Sequence, residues 1–168
     1  MYWTIWIALL LYCAGESGRR RVRAGGSAPW AWWVFAFGAL LCAIHIGVAM
    51  KTAHAWSHEA AIAATARQTM AVYGVNWGGG VFVNYAFVAV WLFDAWRWRR
   101  QSAGRRQPAD DARVITWMTR LFFLVIILNG AVIFAGGTRR IAGALLVAWL
   151  LWIWRPAGAP DPTSPATG

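Results

Sequence analysis

The chain has 168 residues, of which 60% are hydrophobic, with 14 tryptophans and a formal net charge of +10. In a soluble protein this charge would indicate nucleic-acid binding. Here the arginines occupy the gaps between long apolar runs, where they mark cytoplasmic loops and attract anionic lipids, so we expect no nucleic-acid partner. The two cysteines, Cys13 and Cys42, are too few for a disulfide framework.

Five apolar runs follow one another along the chain, and they predict an all-α membrane bundle of about five transmembrane helices. A spanning helix needs roughly 20 mostly apolar residues. The first and last runs are shorter than this, so each could instead be a re-entrant or interfacial piece. The first run could alternatively be a secretory signal. A signal carries its positive charge before the apolar core, however, whereas in this chain the arginines follow the run. The predicted spans are about 2–15, 29–50, 75–96, 114–135 and 138–154.

The segment between the second and third spans is rich in alanine, a strong helix former. We predict an outer helix over about 52–73 that lies on, or dips into, the membrane interface or continues directly from the second span. Residues 97–111 form a polar cytoplasmic linker in this prediction, because Gly104 and Pro108 oppose regular structure. Residues 1–156 form one domain, and 157–168 are expected to be a disordered cytoplasmic tail.

The arginines are distributed unevenly between the two sides of the predicted bundle. Cytoplasmic loops of membrane proteins carry an excess of arginine and lysine. This rule places the N-terminus outside and the C-terminus in the cytoplasm, and we expect the setting to be a bacterial-type inner membrane. Twelve of the sixteen lysines and arginines lie on the predicted inner side, and the other four, Lys51, Arg67, Arg139 and Arg140, lie on the outer side.

Two histidines in the outer segment form the candidate metal site. His54 and His58 are four residues apart, so one helix would place both imidazoles on the same face. Such a pair, with Glu59 beside it, could ligate zinc or copper. The alternative is that both histidines are interfacial residues bonded to water, lipid phosphate or a carbonyl. Two histidines of one chain are not expected to ligate a haem from both sides, because a continuous helix turns His45 and His54 to opposite faces. Haem binding would then need a histidine and a methionine as the two ligands, or a homodimer.

Three polar side chains, His45, Asn84 and Asn129, fall at similar depth in the outer half of the predicted bundle. Polar groups at that depth are costly unless they have partners, so we expect all three to face the interior and bond with one another. They could simply hold helices together. The functional alternative is a small polar cavity that opens outward, joined by Tyr73 or Tyr85.

One acidic residue, Asp94, lies at the inner end of the third span. Its expected partners are Arg97, one helical turn further on, or a cytoplasmic arginine such as Arg120. We interpret this as a structural ion pair at the inner end.

The sequence is compatible with three functional hypotheses. The first is a non-catalytic accessory, assembly or small-molecule-binding subunit, with the bilayer and a larger membrane complex or a second copy as partners. The second is a redox or metal-handling protein that uses His54 and His58, with copper, zinc or haem as cofactor. The third is a lipid-directed enzyme with His58 and Glu59 as acid and base.

Overall fold

The computed structural model describes residues 2–102 and 109–155, and all regular structure within these ranges is helical, which confirms the all-α prediction. The prediction of an irregular linker over 97–111 is wrong for residues 97–102 and 109–111, which are helical. Residues 103–108 of the linker and the predicted tail, 157–168, lie outside the described residues. Six α-helices and one π-helical turn follow in order: α1 (Tyr2–Arg23), α2 (Ala31–His54), α3 (His58–Tyr73), α4 (Gly80–Ser102), α5 (Ala109–Leu128), the π-turn (Asn129–Ile133) and α6 (Thr138–Trp154).

Two of these helices are long and apolar enough to cross a membrane: α2 and the continuous stretch Ala112–Ile133 of α5 and its π-turn. In each, only 28% of the most apolar 18-residue window is buried. Helix α6 has 17 residues. Helices α1 and α4 carry charged residues in their C-terminal halves. Among the described residues, two of the five expected spans therefore meet the requirement by length and composition alone.

An aromatic cluster at the centre of the bundle joins α1, α2, α4 and α5. The Tyr12 ring stacks on Phe123 at 4.7 Å and meets Trp91 edge-on at 5.0 Å. Phe35 packs against Tyr12 at 5.3 Å, and Phe87 against Phe123 at 4.6 Å. Such offset and edge-to-face contacts are the arrangements that aromatic pairs favour. The cluster fixes the position of α1 against its three neighbours.

The helices alternate in direction, so that the C-terminal ends of α1, α4 and α6 meet the N-terminal parts of α2 and α5. Trp32 Nε1 of α2 donates to the carbonyl of Ala95 in α4 at 2.9 Å, and Trp154 of α6 reaches Glu16 of α1. We call this the arginine end of the bundle, because it contains Arg19, Arg97 and Arg120. The opposite end contains His45, His54 and His58, and we call it the histidine end.

The predicted outer helix begins later than expected. Helix α2 continues to His54 and then stops, because Ala55 and Trp56 adopt left-handed conformations with φ of 46° and 63°. Ser57 caps α3, accepting a hydrogen bond from the backbone N–H of Ala60 at 3.1 Å. At the other end, the left-handed Gly74 terminates α3.

The boundaries of two predicted spans are also corrected. Helix α4 begins at Gly80, not near Val75, and the preceding Gly78 lies directly against the backbone of Ile62 in α3. A side chain at Gly78 would collide with that backbone, so the glycine allows α3 and the start of α4 to approach closely. Helix α1 continues to Arg23 through three consecutive arginines, residues 19–21, past the expected end at about residue 15.

Candidate functional sites at the two ends of the bundle

The structure separates the two histidines of the predicted metal pair. His54 is the last residue of α2 and His58 is the first of α3, with the left-handed Ala55 and Trp56 between them. The expectation that one helix face presents both imidazoles is therefore wrong. His58 and Glu59 are exposed, and the His58 ring lies 6.1 Å from that of Tyr85. Within residues 2–102 and 109–155, no group of three or more histidine, cysteine or acidic side chains is placed to hold a metal ion.

His54 instead contributes to an open groove along one face of α3, which we call the outer groove. Arg67 and Gln68 are exposed at its edge and bring N–H donors to it. The Thr65 hydroxyl donates to the carbonyl of Ala61 at 2.9 Å and keeps its lone pairs available. This combination of imidazole, guanidinium and amide suits a small polar or anionic molecule. The groove is lined by His54, Ala64, Thr65, Arg67, Gln68 and Ala71.

The structure does not bring the three predicted intramembrane polar residues together. His45 Nδ1 lies 2.7 Å from the Thr4 hydroxyl of α1. Asn129 accepts a hydrogen bond from the Tyr73 hydroxyl and donates to the carbonyl of Val125 at 2.8 Å, while Asn84 is exposed. His45 and Asn129 thus link different pairs of helices, and Asn129 does so where α5 passes into its π-turn.

Asp94 lies in a buried ionic network at the arginine end. Its Oδ1 lies 2.8 Å from Arg97 Nη2, the predicted partner one turn further on, and its Oδ2 lies 2.8 Å from Arg19 Nη1 of α1. Arg97 Nη2 also donates to the Thr116 hydroxyl of α5 at 3.0 Å. Asp94 is 2% exposed and Arg97 4% exposed, so neither charge is solvated by water.

Glu16 extends this network to α5 and α6. Its carboxylate lies 2.7 Å from Arg19 Nη1 and accepts a hydrogen bond from Trp154 Nε1 at 2.9 Å. Arg120 Nη2 of α5 approaches the same carboxylate at 3.6 Å. Trp98 stacks under the Arg19 guanidinium at 4.2 Å. We call Glu16, Arg19, Asp94, Arg97 and Arg120 the ionic network.

The ionic network holds three positive and two negative side chains, and it connects α1, α4 and α5. Each carboxylate serves two guanidinium groups, so the charges are shared and not paired one to one. Buried charges are tolerated when they are paired and hydrogen-bonded. The arrangement fixes the relative positions of four helices once Trp154 of α6 is included.

Sequence reasoning missed Glu16 and Arg19. The run of arginines at 19, 20, 21 and 23 predicts a cytoplasmic loop after the first span, whereas Arg19 lies inside α1 and points into the bundle. The available signal was the spacing of the two residues, three apart, which places opposite charges one turn apart on a helix. No comparable signal identifies the contact from Arg19 to Asp94, because these residues are far apart in the sequence.

Comparison with protein-family models, with curated protein sequences and with solved structures finds no match for this chain.

Proposed function

We propose that the protein is a multi-pass protein of the cell inner membrane, in which five helices cross the bilayer and α3 lies at the outer interface. The observation that carries the proposal is the distribution of apolar and charged side chains. Leu145 of α6 is 67% exposed and Leu121 of α5 is 62% exposed, whereas Glu16 is 1% exposed. Large exposed apolar surfaces are unfavourable in water and are rare on soluble monomers, but they are favourable in contact with the hydrocarbon tails of lipids. The short α6 can reach across because Arg139 and Arg155 at its ends extend towards the head groups.

In this proposal the arginine end faces the cytoplasm, with the N-terminus outside and the C-terminus inside. The placement is supported by tryptophans that pack against arginines at this end. Indoles favour the head-group level of a bilayer, and arginine favours its cytoplasmic side. Three such pairs are Arg20 with Trp152 at 4.5 Å, Arg100 with Trp96 at 4.7 Å, and Arg99 with Trp32 at 5.3 Å.

Within the membrane, the protein acts as a non-catalytic subunit that binds a small polar molecule in the outer groove or assists a larger membrane complex. The groove supports the binding role because His54, Arg67 and Gln68 present polar groups to one open space. It lies at the histidine end, which faces outward in this arrangement. A ligand would therefore enter from outside the cell without crossing the hydrocarbon.

The two alternative functions, metal or haem binding and lipid-directed catalysis, would use different residues of the histidine end. A metal or haem protein would need ligands beyond His54, from Met50 or from a second copy, because the helix break separates His54 from His58. A lipid-directed enzyme would use His58 and Glu59, which are exposed side by side in the first turn of α3. Loss of turnover in Glu59→Gln, with normal membrane insertion, would favour the enzyme.

The topology is tested by introducing single cysteines and labelling them with a membrane-impermeant maleimide in intact cells. We expect His58→Cys and Arg139→Cys to react from outside, and Arg105→Cys to react only after the cells are opened. The native Cys13 and Cys42 are buried and should give little background. Labelling of positions 58 and 105 from the same side would reject the arrangement, as would release of the protein by alkaline carbonate.

The binding role is tested by mass spectrometry of small molecules retained by the protein after purification in mild detergent. We expect a retained molecule in the wild type and in Lys51→Gln, an exposed control at the same end, but not in Arg67→Gln. Metal analysis and an absorption spectrum are taken on the same sample. Stoichiometric copper, zinc or iron, or a Soret band, would favour the metal or haem protein. Equal retention by Arg67→Gln and wild type would reject the groove as the site.

A further inference from the structure

Arg120 is the least satisfied member of the ionic network. Its side chain is 9% exposed, and its closest carboxylate, Glu16, lies 3.6 Å away, beyond hydrogen-bond distance. Within the described part of the chain, neither Nε nor Nη2 of Arg120 has a hydrogen-bond acceptor. Trp154 and Trp117 flank the guanidinium with ring centroids 5.5 Å and 5.7 Å away. A buried donor without an acceptor is costly, and more so when it is charged.

The surroundings of Arg120 do not supply the missing negative charge. Glu16 is already shared with Arg19 and with Trp154 Nε1. Arg23 follows Glu16 by seven residues, two turns of α1, so it lies on the same face of α1 that Arg120 approaches. Two positive charges on one face repel each other. An anion between them would relieve this repulsion and supply acceptors to Arg120.

We propose that the arginine end of α1 and α5 binds a phosphate group, held by Arg120 and Arg23 beside Trp154. Guanidinium groups match the oxygens of phosphate through paired N–H donors, which makes arginine a common phosphate ligand. Exposed Arg23 is where the anion enters, and buried Arg120 supplies the unused donors. In the proposed topology this site lies at the head-group level of the cytoplasmic leaflet, where the phosphate of an anionic phospholipid is available.

The inference depends on the proposed membrane placement for its lipid source, but not on the outer groove. It is tested with protein purified in a neutral detergent, by measuring the binding of phosphatidylglycerol, phosphatidylcholine and inorganic phosphate through the shift in melting temperature. We expect phosphatidylglycerol to raise the melting temperature of the wild type, and phosphatidylcholine to have much less effect. A stabilising effect of inorganic phosphate equal to that of the lipid would identify free phosphate as the source.

The variants distinguish a specific site from general attraction to positive charge. Arg23→Gln and Arg139→Gln each remove one exposed guanidinium, at opposite ends of the bundle. We expect phosphatidylglycerol to bind about tenfold more weakly to Arg23→Gln, the loss of one good charged contact, and normally to Arg139→Gln. Arg120→Lys keeps the charge but removes the guanidinium fork, so it should bind as weakly as Arg23→Gln while still folding. Equal lipid binding by Arg23→Gln and Arg139→Gln, or no binding by the wild type, would overturn the proposal.

Discussion

Replacing Asp94 by asparagine is the most direct test of the ionic network. The substitution preserves the shape of the side chain but removes a charge that lies 2.8 Å from both Arg19 and Arg97. Breaking a buried ion pair by removing one partner costs about 3–5 kcal/mol, because the remaining charge is left without compensation. Arg19 keeps its contact with Glu16 at 2.7 Å, and Arg97 keeps its bond to Thr116. We therefore expect the free energy of unfolding to fall by about 3 kcal/mol, at the lower end of that range.

The measurement is equilibrium unfolding in mild detergent, driven by added denaturing detergent and followed by the fluorescence of the 14 tryptophans. Glu59→Gln is the matched control, because it removes one carboxylate from an exposed position. Glu59 lies in the first turn of α3, where its interaction with the helix dipole contributes up to about 1 kcal/mol. A loss in Asp94→Asn no larger than that in Glu59→Gln would refute the view that the network stabilises the bundle.

Two further predictions use the same unfolding measurement. Trp154→Phe keeps an aromatic ring but removes the N–H donor that lies 2.9 Å from Glu16. We expect the free energy of unfolding to fall by about 1.5–3 kcal/mol, the usual contribution of a hydrogen bond to a charged group, and unchanged stability would contradict the role of this bond. In Gly15→Ala the new Cβ would lie 2.7 Å from the Cβ of Phe35, and we expect crowding to cost about 1–3 kcal/mol. Gly47→Ala meets no atom within 4 Å and should be neutral or stabilising, so the reverse order of these two variants would contradict the packing.

The sequence was sufficient to predict the helical class and the approximate number of helices, because long apolar runs and an alanine-rich segment leave few alternatives. It was less informative about helix ends. Arg19 to Arg23 read as a loop, since arginine clusters mark loops in membrane proteins, yet arginine is also a good helix former and α1 continues to Arg23. At Gly80, composition did not indicate where α4 begins, because close packing of Gly78 against α3 determines the boundary.

At the candidate sites too, contacts between residues close in the sequence were easier to predict than the ends of helices. Asp94 and Arg97 are one turn apart on α4, so helical periodicity was enough to predict their contact. The helix break after His54 had a weaker signal, because the segment contains neither glycine nor proline. Ser57 followed by an acidic first turn is an N-cap pattern that would have located the start of α3, and with it the separation of the two histidines.

In the proposed membrane placement, the ionic network has a reason to be kept although its charges cost free energy to bury. Lipid tails are as apolar as leucine, so the hydrophobic effect alone does not determine how one spanning helix is placed against another. Moving α4 along α1 by one turn, about 5.4 Å, would still bury apolar side chains, but it would separate Asp94 from Arg19. An unpaired carboxylate in a medium of low dielectric constant is far more costly than a lost apolar contact. In that placement the network sets the register of α1 and α4, and the edge-on contact between Tyr12 and Trp91 forms in the same register.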